Sequence, residues 1–429
     1  MVVEAKACRI KDLGLHVGGN VEVKGWVHLV RQHGKNLLFI TLRDGTGFTQ
    51  VVARQGISGY DNLIEVHREA AIRVIGEVVR DERSPYGYEV RARHVEVISP
   101  SSPTIEEEYQ PNSSPDVLLN KRHLVIRGEK TSSILKYVAK VLKYFREFCE
   151  ERGLVEVVPP LITRAACEGG ATLFSIKYFD EIAYLTQSSQ LYLEAALPAL
   201  GNVYCIQKSF RAEKSRTRRH LTEYTHAEVE LAFINFDELI DFTEDLVIHL
   251  VQRTLEEDEW ILKKLEVDDL NVPKKPFKRL TYREAVQKLK DEGVLIKEGD
   301  EIDESMERRL VDQLGEPLFL TEFPASQKAF YFKRKNGDIT LSMDLLVPHV
   351  GEIIGGGMRE DDHEILLLRL KEINANIEDY RWYLDLRKYG SVPHGGFGLG
   401  VERTVEWILK LPHIREACLF PRLINRITP

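Results

Sequence analysis

Two segments of the chain carry side chains suited to binding a nucleoside triphosphate. In the first, FRAEKSRTRRH, the alternating pattern predicts a strand over 204–213, with Arg211 and Glu213 leaving the same face. A guanidinium can donate two parallel hydrogen bonds to phosphate oxygens, and a carboxylate can accept one from the exocyclic amine of adenine. A charged hairpin tip in solvent is the alternative interpretation. Further phosphate contacts could come from Arg216, Arg218, Arg219 and His220.

A second strand is predicted where the chain returns as TEYTHAEVELAF. Its strict alternation places Tyr224, His226, Glu228 and Glu230 on one face and apolar residues on the other. A face with two glutamates and a histidine is expected to border a cleft or water rather than a core.

The other segment is GFGLGVER, in which Gly396, Gly398 and Gly400 leave one face of a strand without side chains. Glycine weakens a strand, so this pattern predicts that something flat, such as a nucleotide, lies close to the backbone there. Arg403 is predicted in the first turn of the buried helix that follows. The spacing matches neither the dinucleotide fingerprint nor a P-loop. The apolar face of that helix contains Val401, Val405, Ile408 and Leu409.

These two segments resemble motifs 2 and 3 of the class II aminoacyl-tRNA synthetases. Residues 131–160 resemble motif 1, a long helix that Gly153 would end, followed by the strand LVEVVPPLI with Pro160 in the motif position. The resemblance implies that this segment forms a homodimer interface. An ordinary amphipathic helix and strand is the alternative. The predicted apolar stripe contains Ile134, Val138, Val141, Leu142, Phe145 and Cys149.

The resemblance extends over nearly the whole chain and is strongest to the asparaginyl members of the aspartyl/asparaginyl subgroup, of the archaeal and eukaryotic cytosolic type. It implies ATP-dependent activation of L-asparagine and transfer to the 3′-terminal ribose of tRNA(Asn). An aspartyl enzyme on the same frame, possibly accepting both tRNAs, and a non-catalytic tRNA-binding relative are the alternatives. The strings that carry the resemblance include EGGATLFSIKYF (168–179), QSSQLYLEAA (187–196), GEIIGGGMRED (351–361), RKYGSVPHGGFGLGVER (387–403) and HIREACLFPR (413–422).

The preference for asparagine rests on Glu228, Leu193 and the matching strings together. Leu193 stands where similar aspartyl enzymes carry a lysine, although simple packing on a helix would also explain a leucine. Glu228 could accept a hydrogen bond from the asparagine amide and repel a carboxylate. Arg359 matches the arginine that both subgroups use on the side-chain oxygen. A site of this kind can discriminate by ~10⁴-fold or more.

The resemblance also implies a full set of site residues. The reaction needs no protein nucleophile, so catalysis is mainly positioning and charge stabilisation, with Arg211 and Arg403 as the catalytic residues. Two glycines, Gly355 and Gly357, stand where serine is found or expected in relatives. His394 is expected in a turn or against the substrate. The implied ATP contacts are Arg211, Glu213, Arg219, His220, Leu221, Glu352, Gly400 and Arg403; the amino-acid contacts are Glu168, Ser188, Gln190, Glu228 and Arg359; and the Mg²⁺ ligands are Asp344 and Glu352.

The N-terminal part predicts a different fold. Five alternating segments separated by turn signals over residues 1–105 favour an OB-fold barrel that binds an anticodon. Phe39 aligns with a base-stacking aromatic of related synthetases, although a place in the barrel core is equally consistent with the sequence. Arg31 and Gln32 would lie beside it. The overall prediction is an α+β protein: an OB-fold domain (1–105), a linker (106–130) and a class II catalytic domain (131–429).

Composition limits the remaining possibilities. The net charge of −8 argues against indiscriminate binding along nucleic acid. Five scattered cysteines without CxxC spacing suit a reducing cytoplasm and give no zinc site. There is no apolar run long enough to span a membrane. The Lys/Glu-rich segment 255–315 is predicted to be helical, exposed to solvent and remote from the chemistry.

Overall fold

A computed structural model of the chain describes residues 5–84, 86–110, 112–164, 167, 173–213 and 220–429. The chain forms two compact units, Met1–Lys121 and Arg122–Pro429. The division falls within segment 106–130, where short helices form rather than a continuous extended linker. No helix among the described residues is long and apolar enough to cross a membrane.

The first unit is built on a closed five-stranded barrel. Strands β2 to β6 pair in the order β2-β3-β4-β6-β5, and β5 pairs back with β2 to close the barrel. Alternate side chains of β5 are buried, as expected for a strand with one face inside a barrel. These five strands coincide with the five alternating segments, so the prediction of an OB-fold barrel is confirmed. The strands are β1 (Lys6–Ala7), β2 (Asn20–His33), β3 (Leu37–Arg43), β4 (Phe48–Arg54), β5 (Ala71–Arg80) and β6 (Tyr88–Ser99).

Short helices accompany the barrel. A 3₁₀ helix (Ile10–His16) buries Ile10 and Leu13 against it. The α-helices of this unit are α1 (Tyr60–Ile64), α2 (Ile105–Glu108) and α3 (Pro115–Asn120).

The second unit contains an eight-stranded sheet with helices packed against it. The strands of the whole second unit are β7 (Val155–Glu156), β8 (Ile162–Thr163), β9 (Ser175–Tyr178), β10 (Glu181–Leu185), β11 (Val203–Phe210), β12 (Glu223–Ala232), β13 (Lys278–Thr281), β14 (Leu318–Thr321), β15 (Arg334–Asn336), β16 (Ile339–Thr340), β17 (Ser342–Val347), β18 (Gly351–Met358) and β19 (His394–Gly400). Its α-helices are α4 (Arg122–Val125), α5 (Glu129–Glu151), α6 (Gln190–Leu200), α7 (Phe236–Glu257), α8 (Glu259–Lys264), α9 (Tyr282–Asp291), α10 (Glu304–Asp312), α11 (His363–Glu372), α12 (Ile377–Lys388) and α13 (Val401–Ile408). A 3₁₀ helix covers Ile414–Ala417.

The sheet order is β13-β14-β17-β18-β19-β12-β11-β7. The six central strands are antiparallel, and the two outer pairings, β13 with β14 and β7 with β11, are parallel. Helices α5, α7 and α13 bury their apolar faces on this sheet in the largest core of the protein. The α+β fold class predicted from the sequence is confirmed.

The motif 1 helix is present, but the strand after it is short. Helix α5 ends before Gly153, whose φ of +73° lies in the left-handed region. The strand predicted over LVEVVPPLI extends only over Val155–Glu156 in the sheet. Pro159 and Pro160 lack the backbone N–H that a longer ladder needs.

The prediction that segment 255–315 is remote from the chemistry is wrong. Its strand β13 belongs to the central sheet, and its helices α9 and α10 enclose a core with β14. Helix α10 packs against β17 and β18, and its N-terminal turn reaches the cavity described below.

Candidate active site

A cavity of about 1000 Å³ opens over the central strands of the large sheet. Strand pairing places Asp344 opposite Gly355, Gly355 opposite Gly398, and Gly398 opposite Glu228. Directly opposed residues share a face of the sheet, so this row forms the floor of the cavity. Two carboxylates thus lie at opposite ends of a floor whose middle consists of glycine.

The glycines of β19 make room for side chains of the neighbouring strand. A Cβ atom on Gly398 would lie 2.0 Å from Nε2 of His226, and one on Gly396 would lie 2.3 Å from Oε2 of Glu230. The expectation of a bare ribbon open to a nucleotide is therefore wrong at Gly396, which is absent from the described lining of both cavities, whereas Gly398 lines both. Only Gly400 keeps open space, because its nearest neighbour there is the flexible side chain of Arg403.

The two arginines that the sequence singled out line the same cavity. Arg211 follows directly after β11, and its guanidinium lies 5.6 Å from the centre of the Tyr224 ring. Arg403, in the first turn of α13, donates from Nη1 to the carbonyl and the Oε2 atom of Glu352, at 2.9 Å each. Both guanidinium groups therefore reach one space from separate stretches of the chain.

The other predicted ATP contacts surround these arginines. Glu213 lines the large cavity, and His220 lines both it and an adjoining cavity of about 50 Å³. Leu221 and Gly400 line the smaller one. The prediction for Arg219 falls outside the described residues.

The predicted amino-acid contacts meet at the other end of the floor. The Glu228 carboxylate is 2% exposed and accepts hydrogen bonds from the Ser188 hydroxyl and from the Ser189 N–H at 2.9 Å. Gln190 begins α6 and donates to Glu194 at 2.9 Å. These contacts fix the Glu228 carboxylate as an acceptor facing the cavity. The predicted contact Glu168 lies outside the described residues.

Arg359 also lines this cavity, and two of its three guanidinium nitrogens are paired within the part of the chain that the structure describes. Its Nε and Nη2 atoms donate to the two oxygens of Glu230 at 3.0 and 2.9 Å, and the pair is almost completely buried. The Nη1 atom is buried without a hydrogen-bond partner among the described residues. Burial would lower the pKa of Arg359, but Glu230 and then Glu194 hold that pKa above its usual value. A donor and the Glu228 acceptor in one cavity can together bind a group that offers both an oxygen and an N–H.

Leu193 belongs both to a packed apolar cluster and to the cavity wall. Its side chain is fully buried, packs with Leu197 and Val203, and also lines the cavity. Packing and a role in the pocket are therefore compatible at this position.

A buried ionic network supports this end of the cavity, and sequence reasoning missed most of it. Glu194 accepts hydrogen bonds from Tyr383 at 2.8 Å, from Arg387, and from His394 at 3.0 Å. Burial would raise the pKa of Glu194, but Arg387 and His394 hold it below its usual range. Oxygens of Glu194 and Glu230 and a ring nitrogen of His394 lie within 4.8 Å of one another. Because both carboxylates already have guanidinium partners, this cluster is an ion-pair network rather than a metal site.

His394 serves this network and not the cavity wall. Its Nδ1 atom lies 2.7 Å from the carbonyl of Val392, and the residue is absent from the cavity lining in the described chain. Of the two expectations for His394, the structural one agrees with this geometry.

The predicted metal ligands converge on Gly355. A Cβ atom there would lie 2.9 Å from Oε1 of Glu352 and 3.5 Å from Oδ1 of Asp344, so both carboxylates border the same space. Two carboxylates facing a cavity suit a hard divalent cation. Burial, and then the charge of Glu352, raise the pKa of Asp344 to about 6, against the opposing effect of Lys328. Serine at the neighbouring Gly357 would not fit, because a Cβ atom would lie 2.4 Å from the Leu341 carbonyl.

Helix α10 and the residues before it add an acidic wall that the sequence did not predict. Glu307 accepts the backbone N–H of Glu352 at 2.9 Å and so helps to hold it. The acidic residues of this wall are Glu301, Asp303, Glu304 and Glu307.

In the barrel unit, Phe39 lies outside the core. It is half-buried, is not part of the barrel's core cluster, and stands directly opposite the exposed Arg31. Of the two expectations for Phe39, the place in the barrel core is therefore wrong, and base stacking stays a prediction. Gln32 is opposite Leu38, on the alternate face of β2.

The predicted interface residue Pro160 is exposed on an apolar strip at the edge of the large sheet. Strand β7 ends the sheet order, and Val158 beyond it is 93% exposed. Exposed apolar side chains along this strip are Val155, Val158, Leu161 and Ile162.

Comparison with known proteins identifies the family. A family model described as tRNA synthetases class II (D, K and N) matches residues 114–424, and one for an OB-fold nucleic acid binding domain matches residues 21–98. The chain is 43% identical to the cytoplasmic asparagine–tRNA ligase of Homo sapiens, covering 99% of this chain and 80% of that protein. It is 45% identical to the asparagine–tRNA ligase of Pyrococcus furiosus over 96% of each protein. The chain therefore belongs to the class II tRNA synthetases of the D, K and N group.

Solved structures agree. The asparaginyl-tRNA synthetase of Pyrococcus horikoshii complexed with asparaginyl-adenylate is 42% identical and superposes with a TM-score of 0.93 over all of both chains. The Entamoeba histolytica enzyme in complex with asparaginyl-adenylate is 38% identical, with a TM-score of 0.93, covering 99% of this chain and 100% of that one.

Proposed function

We propose that this synthetase activates L-asparagine with ATP and transfers it to the terminal ribose of tRNA(Asn), releasing AMP and pyrophosphate. The observation that carries the proposal is an acceptor and a donor that line one cavity: the Glu228 carboxylate and the Nη1 atom of Arg359, which has no hydrogen-bond partner among the described residues. The amide of asparagine offers the N–H and the carbonyl oxygen that match them. An aspartate carboxylate would meet Glu228 as a like charge and find no lysine at Leu193.

Activation of the amino acid would depend on the residues at the other end of the cavity. The carboxylate of the amino acid attacks the α-phosphate, and pyrophosphate leaves with additional negative charge. Arg211 would bridge the α-phosphate and the substrate carboxylate, while Arg403, with His220 and Arg219, would hold the terminal phosphate. Glu213 would accept from the adenine amine. Because Arg211, His220 and Arg403 already line one cavity with Glu213, their main contribution is to position the two substrates for attack.

Magnesium is proposed to bind at Asp344 and Glu352, whose carboxylates converge at Gly355. The donor set suits Mg²⁺, which favours a few carboxylates together with phosphates and water. The ion would neutralise charge on the pyrophosphate leaving group. Arg403 would keep Glu352 oriented through the hydrogen bond between their side chains.

The remaining proposals concern tRNA, assembly and location. The barrel unit would bind the anticodon, with a base stacked on Phe39 beside Arg31, whereas Gln32 lies on the other face of β2. The edge strand β7 and the apolar strip around Pro160 would form a homodimer interface, since such a strip is otherwise costly to expose. We place the enzyme in the cytoplasm, as the names of the Homo sapiens and Bos taurus relatives have it.

Pyrophosphate exchange, measured separately with asparagine and aspartate, tests the proposal. We expect exchange with asparagine and a kcat/KM for aspartate ~10⁴-fold lower. Equal or preferred use of aspartate would refute the roles of Glu228 and Leu193 and favour the aspartyl alternative. Absence of exchange with both amino acids would favour a non-catalytic protein.

Leu193 allows a sharper variant of this test. Replacing Leu193 by lysine places a cation in the wall of the same pocket. We expect this change to weaken exchange with asparagine and improve exchange with aspartate. The matched control is Leu197→Lys, one helical turn away on α6 and absent from the described cavity lining.

A further inference from the structure

A lysine shares the proposed metal site. The Nζ atom of Lys328 donates to both oxygens of Asp344, at 2.8 and 2.7 Å. The two side chains are only 16% and 18% exposed, and both line the cavity. This pair is better shielded from solvent than a typical surface ion pair, so its effect on nearby charges is larger.

The position of Lys328 is well defined. Its ammonium lies 3.9 Å from the centre of the Phe323 ring, within the range of a cation–π contact. The preceding residue, Gln327, donates to the carbonyls of Gly299 and Asp300, which fastens this segment to the chain before α10. The lysine is therefore held toward Asp344 from its own side of the cavity.

A divalent cation and this ammonium compete for the same carboxylate. Metal bound at Asp344 would place two positive charges within a few ångströms of Nζ, a repulsion that only movement of the lysine relieves. Without a cation, Asp344 would instead face the charge of Glu352 across Gly355. A positive charge is thus needed at this point both before and after metal binding.

We propose that Lys328 is the resident counterion of Asp344, that an incoming divalent cation displaces it, and that it thereby sets the metal affinity of the site. The proposal rests on the proposed function only in taking Asp344 as a metal ligand. The displaced ammonium remains in the cavity, where a phosphate oxygen can accept from it. Metal entry and phosphate binding are then coupled through one side chain.

Binding of Mn²⁺ alone, followed by electron paramagnetic resonance without nucleotide, amino acid or tRNA, tests the proposal. We expect Lys328→Met to tighten Mn²⁺ binding by about tenfold or more, and Lys328→Arg, which keeps the charge, to stay close to the unaltered chain. The control is Lys333→Met, because Lys333 pairs with Asp361 and does not line the described cavity. A purely structural role would leave Mn²⁺ affinity unchanged or weaken it on substitution, and either result would overturn the proposal.

The unaltered protein gives a second test that does not depend on the folding of a variant. Lysines are acetylated at limiting acetic anhydride with and without saturating Mg²⁺, and each site is quantified by mass spectrometry. We expect Mg²⁺ to increase acetylation of Lys328 and to leave Lys333 unchanged. No increase at Lys328 would refute its displacement. Neither test uses asparagine, so both outcomes are independent of the amino acid that the enzyme activates.

Discussion

Replacing Glu230 by glutamine is expected to weaken discrimination between asparagine and aspartate. Glu230 neutralises Arg359 through two hydrogen bonds inside the protein. With glutamine there, the guanidinium keeps its charge without compensation. A substrate carboxylate gains from this change, whereas a neutral amide is little affected.

The size of the effect can be calculated from the distance between Glu230 and Glu228 along β12. Glu230 is two residues from Glu228, or about 7 Å along β12, and the substrate side chain is proposed to lie against Glu228. One unit charge at that distance and an effective dielectric constant of about 20 changes the energy of a carboxylate by about 2.4 kcal/mol. Relative kcat/KM for aspartate should therefore rise roughly 50-fold, which reduces discrimination from ~10⁴ to ~10².

The assay is pyrophosphate exchange with each amino acid, together with a thermal melt. Leaving Arg359 unpaired should lower stability by about 3–5 kcal/mol, so the melt must show that the variant is folded at the assay temperature. The matched control is Glu244→Gln, since Glu244 is also buried, accepts the Phe277 N–H at 2.9 Å and is absent from the described cavity lining. A folded Glu230→Gln protein with an unchanged ratio would refute this account of the pocket.

Three further predictions address other parts of the molecule. Phe39→Ala should cost about 1–3 kcal/mol of tRNA binding while leaving pyrophosphate exchange intact, and equal tRNA affinity in a binding titration would contradict a stacking role. Gly398→Ala should abolish most exchange activity, because its Cβ atom would lie 2.0 Å from the His226 ring, and wild-type rates would show that this part of the floor can shift. Val158→Asp should yield monomers in sedimentation equilibrium with little change in the fold, since Val158 is 93% exposed in the single chain; an unchanged dimer would place the interface elsewhere.

Local sequence patterns predicted much of the fold, because the formation of these strands and helices depends mainly on residues that are close in sequence. The five barrel strands and the hairpin of β11 and β12 follow from alternation over a few residues. Helix α13 follows from the apolar spacing that begins at Val401. Where two prolines interrupt the pattern, at Pro159 and Pro160, the predicted strand was too long.

The buried ionic network could not be predicted in this way. Arg387 and His394 reach Glu194 from 193 and 200 residues away. Each residue alone resembles an ordinary charged or turn position, and only the fold brings them together. The sequence predicted that Arg359 contacts the substrate, but it contained no sign that Glu230 would neutralise this arginine.

Helix α10 shows a different limit of prediction from the sequence. Its buried residues, Leu310 and Val311, and its many charges suit a helix on the outside of a protein, which is what the sequence predicted. A polar face turned toward a water-filled cavity has the same composition as one turned toward bulk solvent. Composition therefore could not separate the acidic wall around Glu307 from a surface remote from the chemistry.

The glycines of β19 show that one sequence pattern can arise from two different structural causes. Alternating glycines indicated that something approaches this strand closely, and something does: His226 at Gly398 and Glu230 at Gly396. Cross-strand neighbours and ligands make the same demand for space on a strand, so the sequence of one strand cannot distinguish them. Space for a Cβ atom remains at Gly400, where the nearest neighbour is the flexible side chain of Arg403. At Gly396 the neighbour is the Glu230 carboxylate that pairs with Arg359, so the absence of a side chain at Gly396 makes room for a buried ion pair inside the protein.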